Sequence, residues 1–162
     1  MSKFLISVGH TASGQTGCGA VGLLDESNCT REIAPLVVKK LQSLGNTAIK
    51  LQIDSGSSTD YVTRVSQANL EGGDYFVEIH LNAGGGTGTE VLITNMVDSP
   101  IAEKYAERIS ASVSGALGIR NRGVKKQSLI VLNKTSMPAI LIECLFADSS
   151  DSNKYNAEII AG

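Results

Sequence analysis

Three short apolar runs, each ending in a side chain that carries chemistry, constrain this chain more than any other feature of it. Asp74-Tyr-Phe-Val-Glu-Ile-His-Leu-Asn-Ala83 is apolar at Tyr75, Phe76, Val77, Ile79 and Leu81, carries His80 and Asn82, and stops at Gly84-Gly85-Gly86. Phe4-Leu-Ile-Ser-Val-Gly9 leads into His10, the only other histidine, and Ala139-Ile-Leu-Ile142 leads into Glu143. Near-continuous apolar runs of this length are what strands look like when both faces of a parallel sheet are covered by helices. In open α/β sheets, ligands bind outside the carboxyl ends of the strands. Strands ending in His, His and Glu therefore point to one shared site.

The rest of the chain fits that frame. Its 162 residues suit one domain, 1–162, large enough to bury roughly two thirds of its unfolded surface. With 42% hydrophobic and 19% charged residues, the composition argues against disorder. A net charge of −2 without a Lys/Arg block gives nucleic acid no footing as a partner. The N-terminal apolar run is too short for a signal peptide or a membrane span. The expectation is a protein made in the cytoplasm that needs another route out. Cys18, Cys29 and Cys144 form neither a disulfide framework nor a C-x-x-C metal motif. They read as reduced core or surface thiols.

Taken in order, Lys3–Val8 is the first strand, followed by a polar, Gly-rich loop to about Leu24, a length that in a compact domain signals function. Cap-type residues Asp25 to Asn28 open a helix with Ile33, Leu36, Val37, Leu41 and Leu44 at helical spacing, ending at Gly45. Pro35 predicts a kink, or a separate first turn. Thr47–Ile53 is a strand, and Asp60 caps a helix carrying Val62, Val65 and Ala68. Thr89–Ile93 alternates in part and is expected near the sheet edge. Ser99-Pro100 starts a helix with Ile101, Tyr105, Ile109 and Val113 on its inner face. Leu129–Leu132 reads as a strand, and a last helix runs from about Asp151 to Gly162. The fold class is α/β: a single-domain α/β sandwich whose mostly parallel sheet of about six strands has helices on both faces.

A catalytic zinc takes three protein ligands from His, Asp, Glu or Cys and keeps a fourth position for water. One histidine after a strand is more often a hydrogen-bonded structural residue, but two at strand ends favour shared metal ligation. The third ligand is either Glu26, at the helix start after the glycine loop, or Glu78, on the same strand face as His80. Spacing leaves that choice open. Glu143 continues a buried strand, which costs free energy unless the carboxylate is paired or functional. The reading of Asn82 is equally open, between a bond to ligand or metal site and a structural strand end. A Cys/His hydrolase needs a cysteine beside a histidine, and Cys144 points to the sheet face opposite Glu143.

Together these segments resemble the zinc-dependent N-acetylmuramoyl-L-alanine amidases, the type-3 amidase catalytic domain, and within them the catalytic modules of clostridial phage endolysins. The matching segments are Ser7-Val-Gly-His10, Glu26 opening a helix, Arg64 with Ala68-Asn69, Glu78-Ile-His-Leu-Asn-Ala83, Gly88-Thr-Glu-Val-Leu92, Arg122-Gly-Val-Lys125 and Met137-Pro-Ala-Ile-Leu-Ile-Glu143. The resemblance implies one Zn2+ per chain held by His10, Glu26 and His80, with Glu143 as the catalytic carboxylate. Glu78, where the family often has a small residue, then orients a histidine ring from outside the ligand set. The implied substrate is bacterial peptidoglycan, cut between N-acetylmuramic acid and the L-alanine of the stem peptide. The glycine stretches 14–22 and 84–88 would border its groove. The expected state is a monomer with no membrane partner, acting on the wall after release. The family's last helix usually runs further than Gly162, so a shortened helix and no wall-binding module are expected. Two alternatives share these residues: a zinc peptidase cutting another peptide bond of the wall, and a non-catalytic wall-binding module.

Overall fold

A computed structural model describes all residues, Met1–Gly162. Six strands, β1 (Lys3–Val8), β2 (Thr47–Leu51), β3 (Tyr75–Asn82), β4 (Thr89–Thr94), β5 (Asn121–Gln127) and β6 (Ala139–Phe146), form one sheet. Their order is β2-β1-β3-β6-β4-β5, and only β4 against β6 is antiparallel. The amino ends of β4 and β5 therefore lie beside the carboxyl ends of β1, β3 and β6. The helices are α1 (Glu26–Ser43), α2 (Asp60–Glu71), α3 (Pro100–Leu117), a single turn α4 (Ile130–Asn133) and α5 (Ala157–Ala161). None is long and apolar enough to cross a membrane.

Strand alternation divides the sheet's side chains between two cores. Ile6, Val8, Ile79, Val91, Ile93 and Ile142 pack with Ile33 of α1, with Ala106 and Val113 of α3, and with Ile160 of α5. Leu5, Phe76, Leu92, Ala139 and Leu141 face the other way, onto Val65 and Ala68 of α2 and Val131 and Leu132 of α4. Helices cover both faces, as the apolar runs predict. Toward the carboxyl ends, the α2/α4 face turns from apolar to ionisable. The register sets His80 against Glu143, and Glu143 against Glu90, across three neighbouring strands.

Several local expectations are corrected. Leu129–Leu132 is not a strand: Val131 and Leu132 are buried by the helical turn α4. A short apolar run fits either state, and here the turn closes the second core. The sixth strand is instead β5, Asn-Arg-Gly-Val-Lys-Lys-Gln, which lies at the sheet edge, where charge deters pairing with another chain. β4 does lie near the edge, next to β5, but it is buried throughout. Its polar residues are satisfied there: Thr89 bonds the Cys144 carbonyl, Thr94 bonds Asn133, and Glu90 bonds Asn82 and Arg122.

In the helices, the inner face of α3 is Ala102, Ala106, Ser110, Val113, Ser114 and Leu117, while Ile101 and Tyr105 are exposed. Small residues let this helix lie close to the sheet, and both serines bond carbonyls within their own helix. Pro35 neither splits nor ends α1, which Asp25 caps at Asn28 N. Thr59, not Asp60, is the N-cap of α2. The last segment is a 3₁₀ turn, Ser150–Lys154, and then α5, which Asn156 caps at Ile159 N.

Candidate metal centre

His10 follows β1 with φ +64, a left-handed conformation uncommon outside glycine. Arg31 helps fix this corner by donating to the carbonyls of His10 and Ile53 and pairing with Asp54. His80 stands near the end of β3. Glu26 is the first residue of α1, brought back over the sheet by the glycine loop. One ligand atom from each of these three lies within 4.8 Å of the others.

The ring nitrogens define the arrangement. His10 Nε2 is 3.3 Å and His80 Nδ1 3.0 Å from the same Glu26 oxygen, Oε1. Each ring's second nitrogen has a different acceptor: Gly17 O lies 3.1 Å from His10 Nδ1, and Glu78 Oε1 2.8 Å from His80 Nε2. Metal-bound histidines are held in this way, with one nitrogen on the ion and the other donated to a carbonyl or carboxylate. Glu26 is itself fixed by the backbone amides of Ala20 and Leu81. Tetrahedral zinc with bonds of about 2.0–2.1 Å separates its ligand atoms by roughly 3.3 Å, close to the spacings seen here.

Packing leaves no slack around these rings. A Cβ on Gly19, where φ is +79, would lie 2.5 Å from the His10 ring and 2.6 Å from Glu26 Oε2. A Cβ on Gly9 would lie 2.6 Å from His80 Nε2. Both glycines are required by close approach.

The electrostatics favour a cation. Burial opposes a charge on His80, but hydrogen bonds to Glu26 and Glu78 overcome it and raise its pKa to about 10. Burial likewise opposes ionisation of Glu26. The hydrogen bonds from His10 and His80 outweigh it and hold this carboxyl well below the usual range. A field that draws positive charge between two carboxylates also suits a metal ion. In donor chemistry, spacing and field, the residues present fit one.

Behind His80 lies a buried ionic chain. Glu78 accepts from Ser7 Oγ at 2.9 Å and stands 3.2 Å from Arg64 Nε. Arg64 Nη1 is 2.6 Å from Asp60 Oδ2. The arginine contacts are close ion pairs without hydrogen-bond angles. After burial, which opposes it, the bond to His80 keeps Glu78 ionised, its pKa lowered.

Glu143 lies beside the cluster, paired in register with His80. Burial pushes its pKa up to about 7; the charge of His80 opposes this, while Glu26 and Glu90 add to it. Its Oε2 is buried without a hydrogen-bond partner. A cleft of about 470 Å3 opens over this face, reaching His10, His80, Glu78, Glu143, Asp60 and Arg64, with Ser128 to Val131 as one wall. Asn82 stands apart from the cluster, bonding Glu90 Oε1 and its neighbour's amide. Cys144 is buried in the α1/α3 core, where burial drives its thiol far above the usual range.

Sequence reasoning missed Asp60, Arg64, Glu90 and the α4 wall as parts of this site. Signals existed for the three residues: Asp60 and Arg64 stand at i and i+4 on one helix, and Glu90 is a carboxylate beside the apolar run Val91-Leu-Ile93.

Two histidines at the carboxyl side of the sheet and a glutamate at a helix start thus form a cluster able to hold a metal ion, beside a buried carboxylate. Residues 5–158 match the family described as N-acetylmuramoyl-L-alanine amidase, and the chain belongs to that family. It is 37% identical to the sporulation-specific N-acetylmuramoyl-L-alanine amidase of Bacillus subtilis, the alignment covering 95% of this chain and 60% of that one. To the N-acetylmuramoyl-L-alanine amidase CwlM of Bacillus licheniformis it is 34% identical, over 93% of this chain and 59% of the relative. The chain thus spans about three fifths of either relative. In structure it is similar to the catalytic domain of the CD27L endolysin targeting Clostridia difficile. The TM-score is 0.86 at 29% identity, covering 99% of this chain and 93% of that one.

Proposed function

We propose that this chain hydrolyses the amide joining the lactyl group of N-acetylmuramic acid to the L-alanine of the stem peptide in bacterial peptidoglycan. Zinc would be held by His10 Nε2, His80 Nδ1 and Glu26, and would supply a Lewis acid for the amide carbonyl and a more acidic water. The observation that carries the reading is Glu143 Oε2, a buried oxygen without a partner beside the cluster and within the cleft.

That oxygen takes a proton from the attacking water, and the carboxyl returns one to the departing amine. An acid–base group works best with its pKa near the operating pH, and burial brings Glu143 to about 7. Glu78 holds His80 by its Nε2, which would leave Nδ1 to hold the ion. Arg64 and Ser7 hold Glu78 in turn. The apolar side of the cleft, Leu129 to Val131 with Leu141, limits water around the reacting groups. Asn82 acts through Glu90 rather than on the ion.

Digestion of purified peptidoglycan tests the reading. The products should be peptides with a free N-terminal L-alanine and intact glycan strands. New reducing ends would make the protein a glycosidase. Cuts within the stem peptide would make it a peptidase with the same ligand set.

A further inference from the structure

The β4–β5 pairing slips by one residue: Thr89 faces Asn121, but Glu90 faces Gly123, which leaves Arg122 as the extra residue of a bulge. Gly123, next to the extra residue, takes a left-handed conformation with φ +74, which glycine adopts at little cost, and its amide is fixed by Asn121 Oδ1. Regular alternation would send Arg122 to the face where Val124 packs against the α1/α3 core. The bulge turns it instead toward Glu90, which shares its sheet face with Glu143 and His80.

The guanidinium is held there from three directions. Arg122 Nε donates to Glu90 Oε2 at 2.7 Å, and the guanidinium carbon lies 5.1 Å from the centre of the Phe146 ring. Nη1 reaches Thr87 O only at 3.5 Å, the outer limit of a hydrogen bond. Glu90 in turn is buried and fixed by Asn82. The planar group is thus aimed while its outer edge stays weakly bonded, and the side chain is 30% exposed.

From this geometry we infer that Arg122 is a subsite for a carboxylate on the peptide side of the substrate. It extends the amidase reading given above. Glu143, Glu90 and Arg122 occupy neighbouring strands about 4.8 Å apart, and the guanidinium leans back toward Glu90. A peptide advances about 3.3–3.6 Å per residue when extended. A carboxylate one or two residues beyond the scissile amide therefore falls within reach of Arg122. Glu26, Glu78, Glu143 and Glu90 gather at this end of the sheet, hostile to an anion, and Lys125, the cation of β5 on this face, stands further along the strand, opposite Leu92. Arg64 is occupied by Asp60 and Glu78, and Arg31 by Asp54. Arg122 is the arginine aimed here with donors to spare, and a guanidinium can grip a carboxylate with two parallel bonds.

The test uses two soluble muramoyl peptides that differ only in the second stem residue, one with a free α-carboxylate and one with a carboxamide. Arg122→Gln keeps a donor for Glu90 and removes the charge. On the carboxylate substrate it should raise KM roughly 10-fold or more, the range for losing a charged hydrogen bond, with kcat little changed. The carboxamide substrate should shift by less than about 2-fold, and Arg122→Lys should recover part of the loss. Equal losses on both substrates, or none on the carboxylate one, would overturn the subsite. If the parent protein cuts neither peptide, the amidase reading fails by itself. Calorimetry of both peptides with Glu143→Gln, with and without Arg122→Gln, then tests the subsite alone: a preference for the carboxylate that vanishes with Arg122 upholds it, and equal affinities overturn it.

Discussion

At the scale of single residues, the proposed metal site turns on which carboxylate would face the ion. Spacing leaves Glu26 and Glu78 equal, because a residue two places before His80 on a strand is as plausible as a helix start. The ring nitrogens separate them, since both histidines turn one nitrogen to Glu26 Oε1 while Glu78 meets the far nitrogen of His80 alone. Glu26→Ala should nearly abolish zinc binding, measured by competition with a chelating dye. Glu78→Ala should weaken it by about 10–100-fold, the usual range for a group that orients a ligand; the opposite ranking would exchange their roles. Glu143→Gln should keep both zinc and fold, yet lose roughly 10²–10⁴-fold in turnover. Turnover within a few-fold of the parent would remove Glu143 as the acid–base group. Gly19→Ala tests the packing: its methyl group meets the His10 ring and Glu26, so zinc affinity and thermal stability should fall together. An unchanged affinity would mean that the loop can move aside.

At the scale of elements, legibility followed the apolar runs. β1, β3 and β6 could be read because both their faces are buried, and the histidines and Glu143 came with them, although Glu143 does not end its strand: β6 continues to Phe146. β5 could not, because an edge strand of Asn, Arg, Gly and Lys has no hydrophobic period to detect. The displaced assignment fell on Leu129–Leu132, whose burial is real but helical, and the α4 wall of the cleft was lost with it. Neither the bulge at Arg122 nor the face taken by Glu90 has a local signature, since both depend on which strands become neighbours. Pro35 marks a different kind of miss. It sits exposed within the continuous α1, where a proline removes a helical N–H and crowds the preceding turn. Pro35→Ala should therefore stabilise the protein by about 1–3 kcal/mol. At about 2–4 °C per kcal/mol for a chain of this size, calorimetry should detect the rise. No rise in Tm would mean that α1 has relaxed around the proline at little cost.

At the scale of the whole molecule, the question is whether the ion builds the fold or only occupies it. Small zinc domains whose cores cannot stand alone unfold when the metal is removed. This chain has two separate apolar cores, one on each face of a six-stranded sheet. The cluster is also held by bonds within the protein, from Gly17, Glu78, Ala20 and Leu81. Chelation should therefore stop hydrolysis while the far-ultraviolet circular dichroism of the folded protein persists. An ion that binds only the folded state stabilises it, so on the proposed reading zinc at about 100 times its Kd should add roughly 2.7 kcal/mol to stability. For a chain of this length that corresponds to a rise in Tm of about 5–10 °C. Glu26→Ala should lose that rise and still melt cooperatively. If chelation unfolds the parent protein, the ion is a structural element and the preformed cluster is not self-supporting. If Glu26→Ala shows the same zinc-dependent rise, the stabilising ion binds somewhere other than between the two histidines.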